Sequence, residues 1–257
     1  METRATGIVS VVNIDPGKIS PYGNVVSPGA LAQNHQHVFA LRIDPAIDGH
    51  ANTILKEESL PIPMNPKTNP HGNAYQVVRE PITKSTFLDA SPLTNLTIKM
   101  ANTNKLNPVS QRPVSYKFTP LATQPLLADP KSIVAQRAAF ARHHVWVTKY
   151  RDGELFAGGE FTNQSQKEIG GVADAAARDD PVENADVVVW SVFGLTHNPR
   201  VEDWPVMPIE KIEIHLRPAD FFERNPALDV PGVKNQASVE VGRNTDGQCC
   251  HGSNGAA

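Results

Sequence analysis

His35 and His37 stand two residues apart in the stretch LAQNHQHVFALRID, residues 31–44. The run around them is apolar and strand-like, and the chain has only nine histidines in 257 residues. On a β-strand, residues i and i+2 face the same way. The two imidazoles therefore project side by side, close enough to share one metal ion. Imidazole suits copper, zinc and iron. The plainer alternative is a pair of ordinary sheet histidines, but two large polar rings on one face need partners.

The residues that follow exclude two common metal patterns. A cupin-type site places a Glu four or five residues after the pair, where this chain has Leu41 and Arg42. A metallo-β-lactamase-type site needs Asp and His directly after it, where this chain has Val38 and Phe39. A third ligand must come from far along the chain. His197 ends the apolar run Asp186 to Val192 and its Gly-Leu-Thr-His continuation, so it can reach a site lined by a neighbouring strand. By spacing alone, His50, His143 and His144 are rivals.

The elements that would carry these residues are mostly strands. Twenty-two prolines are spread along the chain and the β-branched runs are short, a pattern of many short strands with turn punctuation. Strands are predicted at 4–12, 35–44, 53–59, 74–80, 94–101, 114–119, 144–150, 155–161, 186–192 and 209–216. At the start, Thr3, Ala5, Gly7 and Val9 alternate with Arg4, Thr6, Ile8 and Ser10, as if the chain entered mid-sheet. Asp152-Gly153, between VWVTKY and FAGGEF, predicts a hairpin. One short helix is expected at 130–142, with a proline near its start and alanines inside, and one further turn at 218–225. Residues 61–73, 165–184 and 232–257 read as excursions, the last as a disordered tail. The predicted fold class is all-β: a large antiparallel β-sandwich of roughly ten strands or more.

Composition removes several function classes. The formal charge is −3 and no basic cluster has the density that nucleic acid or an anionic membrane surface requires. No apolar run approaches the roughly 20 residues of a membrane span, and the first residues lack a signal-peptide pattern. Cys249 and Cys250, the only cysteines, are adjacent, which excludes a disulfide framework.

Four segments go beyond spacing. NHQHVFALRIDPAIDG (34–49), HHVWVTKYRDGELFAGGEFTNQS (143–165), GLTHNPRVEDWPVMP (194–208) and RPADFFERNPALDV (217–230) resemble copper-containing amine oxidases of the fungal type, in family order and at family-like separations. The likeness runs from about residue 3 to 231. It implies that His35, His37 and His197 bind one copper ion. It also implies the catalytic β-sandwich domain of that family over 1–231, a homodimer, and a partner-embracing arm within residues 60–90. A second, peripheral cation would fall on Asp44 and Asp186 with the backbone oxygens of Pro45 and Val187. Ala46 stands where that pattern expects a further Asp. Trp146, Trp190 and Trp204 read as core and corner packing.

The family's other requirements are not met by this sequence. The resemblance implies a topaquinone made from a tyrosine in an Asn-Tyr-Asp/Glu motif, and an aspartate base. The four tyrosines, Tyr22, Tyr75, Tyr116 and Tyr150, follow Pro, Ala, Ser and Lys. Both missing residues are expected before Met1, so no catalytic residue is assigned within this chain. The chain is expected to be the C-terminal portion of the catalytic domain, incomplete at its N-terminal side.

The implied function of the complete enzyme is oxidation of primary amines by O2 to aldehyde, ammonia and hydrogen peroxide. It is expected to be intracellular, cytoplasmic or peroxisomal, although Gly255-Ala256-Ala257 is not a peroxisomal address of the Ser-Lys-Leu type. The alternatives are a non-catalytic copper-binding fragment and a different three-histidine metalloprotein such as a zinc lyase.

Overall fold

The computed structural model describes residues 1–161, 165, 170–230 and 232. The expected tail from 232 onward lies almost wholly outside them. The described strands, in chain order, are β1 (Glu2–Ile8), β2 (Val11–Asn13), β3 (Gly23–Ser27), β4 (Ala30–Gln33), β5 (His35–Ile43), β6 (Thr53–Pro61), β7 (Tyr75–Ile82), β8 (Thr86–Leu88), β9 (Thr97–Leu106), β10 (Pro113–Phe118), β11 (Val145–Lys149), β12 (Val187–His197), β13 (Val206–Glu213) and β14 (Arg217–Ala219). The α-helices are short: α1 (Ile133–Arg137) and α2 (Val172–Ala177).

The strands form four antiparallel sheets. One has the order β5-β12-β11-β8, another β14-β10-β9-β6-β7, and smaller ones are β2-β4-β3 and the ribbon β1-β13. The chain falls into two units, Met1–Glu223 and Arg224–Ala257. All four sheets belong to the first. In the second, Asn225 caps a single turn over Pro226–Asp229 by accepting from the Ala227 amide.

The main core lies between the four- and five-stranded sheets. Val145, Val147, Val187 and Val189 from one meet Ile54, Ile82, Ile98, Met100 and Phe118 from the other. Full burial of each such side chain stabilises the fold by about 1.5–3 kcal/mol. On the reverse face of the four-stranded sheet, Trp146, Val188, Trp190 and Val192 pack against Val172 and Ala176 of α2. β12 is thus covered on both sides, which explains why VVVWSVF is apolar without alternation. β1 is the opposite case. Thr3, Ala5, Gly7 and Val9 turn inward and Arg4, Thr6, Ile8 and Ser10 outward, as the alternation predicts.

Three expectations are corrected. First, 155–161 is not a strand and the Asp152-Gly153 hairpin does not form. Both edges of β11 are already taken, by β8 and by β12. A turn follows β11, with Gly153 at φ 82°, and Leu155 and Phe156 are left exposed. Second, 218–225 supplies the end of β14 in place of a helical turn, because Ser115, Tyr116 and Lys117 of β10 pair with Ala219, Pro218 and Arg217. Third, the excursion at 165–184 contains α2, whose Val-Ala-Asp-Ala-Ala-Ala run favours helix and buries its apolar side. The helix expected at 130–142 is split into α1, capped by Ser132, and a 3-10 turn over Ala139–Arg142.

Candidate metal centre

β5 and β12 are antiparallel neighbours, and their register places His197 opposite His35 and Leu195 opposite His37. His35, His37 and His197 all lie on the odd-numbered face, the one that also presents Phe39 and Phe193, stacked with centroids 5.6 Å apart. The rings of His35 and His37 meet edge to face at 4.9 Å, those of His35 and His197 at 4.8 Å. They form one wall of a cavity of about 660 Å³, whose other walls include β1, Tyr22, Gln33, Asn34 and Met207.

Hydrogen bonds fix which nitrogens are free. His35 Nδ1 lies 2.8 Å from the Gln33 carbonyl, and His197 Nε2 lies 3.0 Å from Asp203 Oδ2. Both partners are acceptors, so both of these nitrogens carry hydrogens. In the neutral rings that metal ligation requires, the remaining pair, His35 Nε2 and His197 Nδ1, bear lone pairs and face each other at 3.3 Å. Two lone pairs at this separation repel unless something positive stands between them. The donor chemistry of this pair fits a metal ion.

His37 contributes differently. It lines the same cavity but is exposed. Loss of solvation, then repulsion from His35 and His197, lowers its pKa, which favours the neutral form a metal requires. Among the described residues, no three His, Cys, Asp or Glu side chains are already gathered at ligating geometry. The His35–His197 pair is set, and His37 sits one ring contact away from it.

Asp203 was not identified from the sequence. It is 2% exposed and accepts from His197, from the Arg200 backbone amide at 2.9 Å and from Arg200 Nη2 at 2.8 Å. The bonds from Arg200, then that from His197, hold its carboxyl well below the usual carboxylate range. Its only local signal was the Arg-Val-Glu-Asp turn, which closes on itself through Arg200 and Asp203.

The rival histidines lie elsewhere. His143 and His144 both turn to Asp89, at 3.0 Å each, and His50 is 3.9 Å from Asp186. At the expected peripheral cation site, Asp44 is bonded to Arg42 at 3.1 Å. Asp186 Oδ1 is buried with no hydrogen-bond partner. Trp146 and Trp190 are buried against α2, and Trp204 packs on the small core of Val9, Val26 and Ala32. Of the four tyrosines, Tyr22 lines the cavity that holds the three histidines.

Copper amine oxidase 1 of Aspergillus niger is 64% identical over 250 residues, covering 97% of this chain and 37% of that protein. Histamine oxidase of Arthrobacter globiformis is 40% identical, covering 90% of this chain and 33% of that protein. A copper-containing benzylamine oxidase from Hansenula polymorpha superposes with a TM-score of 0.86 at 47% identity, over 90% of this chain and 36% of that one. An Aspergillus nidulans amine oxidase, 21% identical with a TM-score of 0.74, shares the fold. The chain spans about a third of the length of the relatives it matches. The sequence model of the copper amine oxidase enzyme domain matches residues 1–237, and the chain belongs to that family.

Proposed function

We propose that this chain is the copper-holding part of a primary-amine oxidase, with His35, His37 and His197 as the metal ligands. The observation that carries the reading is the pair of lone-pair nitrogens, His35 Nε2 and His197 Nδ1, facing each other at 3.3 Å on a cavity wall. Copper(II) bound there, together with the topaquinone the family implies, would supply the redox capacity to convert a primary amine and O2 into aldehyde, ammonia and hydrogen peroxide. The chain's own residues hold and orient. Gln33 and Asp203 fix the ring tautomers of His35 and His197. Residues of β1 line the same cavity.

No tyrosine here follows an asparagine, so the quinone tyrosine and the aspartate base would be supplied by polypeptide outside these 257 residues. On that reading the chain alone is inactive. The same feature favours the second reading, a non-catalytic copper-binding protein. A homodimer would form through an arm within residues 60–90, which takes in β7 and the loop before it. A second divalent cation would use the unpartnered Asp186 Oδ1 with Asp44. No helix among the described residues is long and apolar enough to cross a membrane. The Pichia angusta relative is named a peroxisomal primary amine oxidase, which supports the peroxisomal alternative among the expected locations.

Metal titration tests the central reading. The purified chain should take up Cu(II) in preference to Zn(II), with imidazole nitrogen couplings in its electron paramagnetic resonance spectrum. His35→Ala and His197→Ala should abolish that signal. Unchanged copper uptake and couplings in both variants would sink the assignment. Formation of a quinone absorption band in the longer polypeptide, on adding copper and O2, separates the enzyme from the non-catalytic reading.

A further inference from the structure

Gln36 lies between the two histidines of β5, and its side chain points to the opposite face. Every polar group of its carboxamide is engaged. Nε2 donates to Thr196 Oγ1 at 2.9 Å and to the Pro125 carbonyl at 3.2 Å. Oε1 accepts from the Leu127 amide at 2.8 Å. Gln36 and Thr196 are direct cross-strand partners, the next rung after His35 and His197. The bond between them therefore spans β5 and β12 immediately behind the metal cavity.

A second set of contacts holds the segment that Gln36 grips. β11 begins at Val145, opposite Ser191. Beyond it, residues 123–127 run across the back of the strand ends. Thr123 Oγ1 accepts from the Gly194 amide at 3.0 Å, and Leu126 N donates to the Ala141 carbonyl at 3.1 Å. His144 Nε2 lies 2.7 Å from the Thr123 carbonyl. The strap is thus anchored to β12 through Thr123 and to β5 through Gln36. It braces from behind the two strand ends that present His35 and His197 in front.

We infer that Gln36 is a positioning residue for the metal ligands. By tying β5 to Thr196 of β12 and to the strap, it sets the strand separation at the His35–His197 rung, and so the gap between the two lone-pair nitrogens. A sheet surface position with no such duty needs no three-way bond to two other chain segments. The inference rests on the copper reading above and deepens it. Outer groups that hydrogen-bond metal ligands are worth about 10- to 100-fold in metal affinity; Gln36 touches no ligand ring, but it acts on both histidines of the rung at once through backbone spacing, and an effect on that scale is expected.

The test uses Gln36→Leu, Thr196→Val and Thr196→Ser in the full chain, with Cu(II) affinity measured by chelator competition. The copper hyperfine splitting and the melting temperature of the metal-free chain are recorded alongside. Gln36→Leu should weaken copper about 10- to 100-fold and change the splitting. Thr196→Val should shift both in the same direction by less, and Thr196→Ser, which keeps the hydroxyl acceptor, should restore them. If Gln36→Leu fails to fold, the Thr196 pair decides. Copper affinity and spectrum unchanged in Gln36→Leu, or in Thr196→Val where that pair decides, would overturn the inference. His197→Ala is run in parallel: if it keeps a wild-type copper spectrum, the copper reading itself has failed, which is a different result.

Discussion

Asp203 Oδ2 lies 3.0 Å from His197 Nε2, and the carboxylate is itself gripped by Arg200. This makes a chain of command from a surface arginine to a buried imidazole. The anion fixes the His197 tautomer, orients the ring, and leaves Nδ1 free toward His35. Asp203→Asn keeps an acceptor for the Nε2 hydrogen but loses the charge. It should fold and bind copper about 10- to 100-fold more weakly. Asp203→Ala leaves that buried hydrogen unpaired, which should cost about 1–3 kcal/mol of stability as well. Chelator competition and urea denaturation of both variants check this. Equal copper affinity in wild type and Asp203→Asn would remove Asp203 from the site.

A pH effect is expected well away from the metal. Asp180 receives Arg178 Nε at 2.9 Å and Arg151 Nη2 at 3.1 Å, and its backbone bonds Ser85 in both directions. The Arg178 hydrogen bond first, opposed by burial and reinforced by the charge of Arg151, lowers its pKa. A carboxyl with a depressed folded pKa contributes stability that is present above its unfolded value, about 3.9, and is lost as pH falls through the folded value. Wild type should therefore lose melting temperature on acidification below about pH 4, and Asp180→Asn should lose less over the same range. Parallel acid limbs in the two proteins would show that the cluster contributes nothing to folding.

The arm proposal has its own test. Between β6 and β7, Asn69 is 3% exposed. Its side chain donates to the Ile62 carbonyl at 2.8 Å and accepts from the Ala74 amide at 3.3 Å. Asn65 Oδ1 accepts from the amides of Lys67 and Thr68. The tip is thus held in shape by its own asparagines, while Met64 and Tyr75 stay exposed. If this shape serves a partner subunit, sedimentation equilibrium should show a dimer, with Asn69→Ala shifted toward monomer. A wild-type chain that sediments only as monomer would end the proposal.

Part of the fold and part of the candidate site were legible in the sequence. β5 and β12 were legible because each has a strong local pattern: a histidine pair in an apolar run, and a long buried stretch. The strands β3, β4, β8 and β14 were not, because three to five residues are too few to show a period. The false hairpin at 151–161 had correct turn chemistry. It failed because β8, which is distant in sequence, had taken the edge it needed, a competition that no local window contains. α2 was hidden by the charges after it, although its alanines were a readable signal. Asp203 was hidden for the reverse reason. Its neighbour Glu202 is chemically alike, and only the folded turn decides which carboxylate meets His197.

Gly194 gives the last prediction, because it pairs with Val38, one rung from Leu195 and His37. A Cβ built on it would stand 2.9 Å from the His37 carbonyl oxygen and 3.4 Å from Val38 Cγ2. The first is backbone and cannot rotate away, so Gly194→Ala must push β5 from β12 at the rung beside Leu195 and His37. The displacement falls one side of the His35–His197 pair, while the main core around Val187 and Val189 lies at the far end of β12. Gly194→Ala should therefore weaken copper binding and change its hyperfine splitting at a stability cost of about 1–3 kcal/mol, typical of overpacking. Gly194→Val should do more of both. The argument is steric and involves no special backbone angle, so the effect should scale with side-chain size. If Gly194→Ala binds copper as wild type does and melts at the same temperature, the β5–β12 spacing is softer there than the structure implies, and the rung geometry proposed for the metal ligands loses its support.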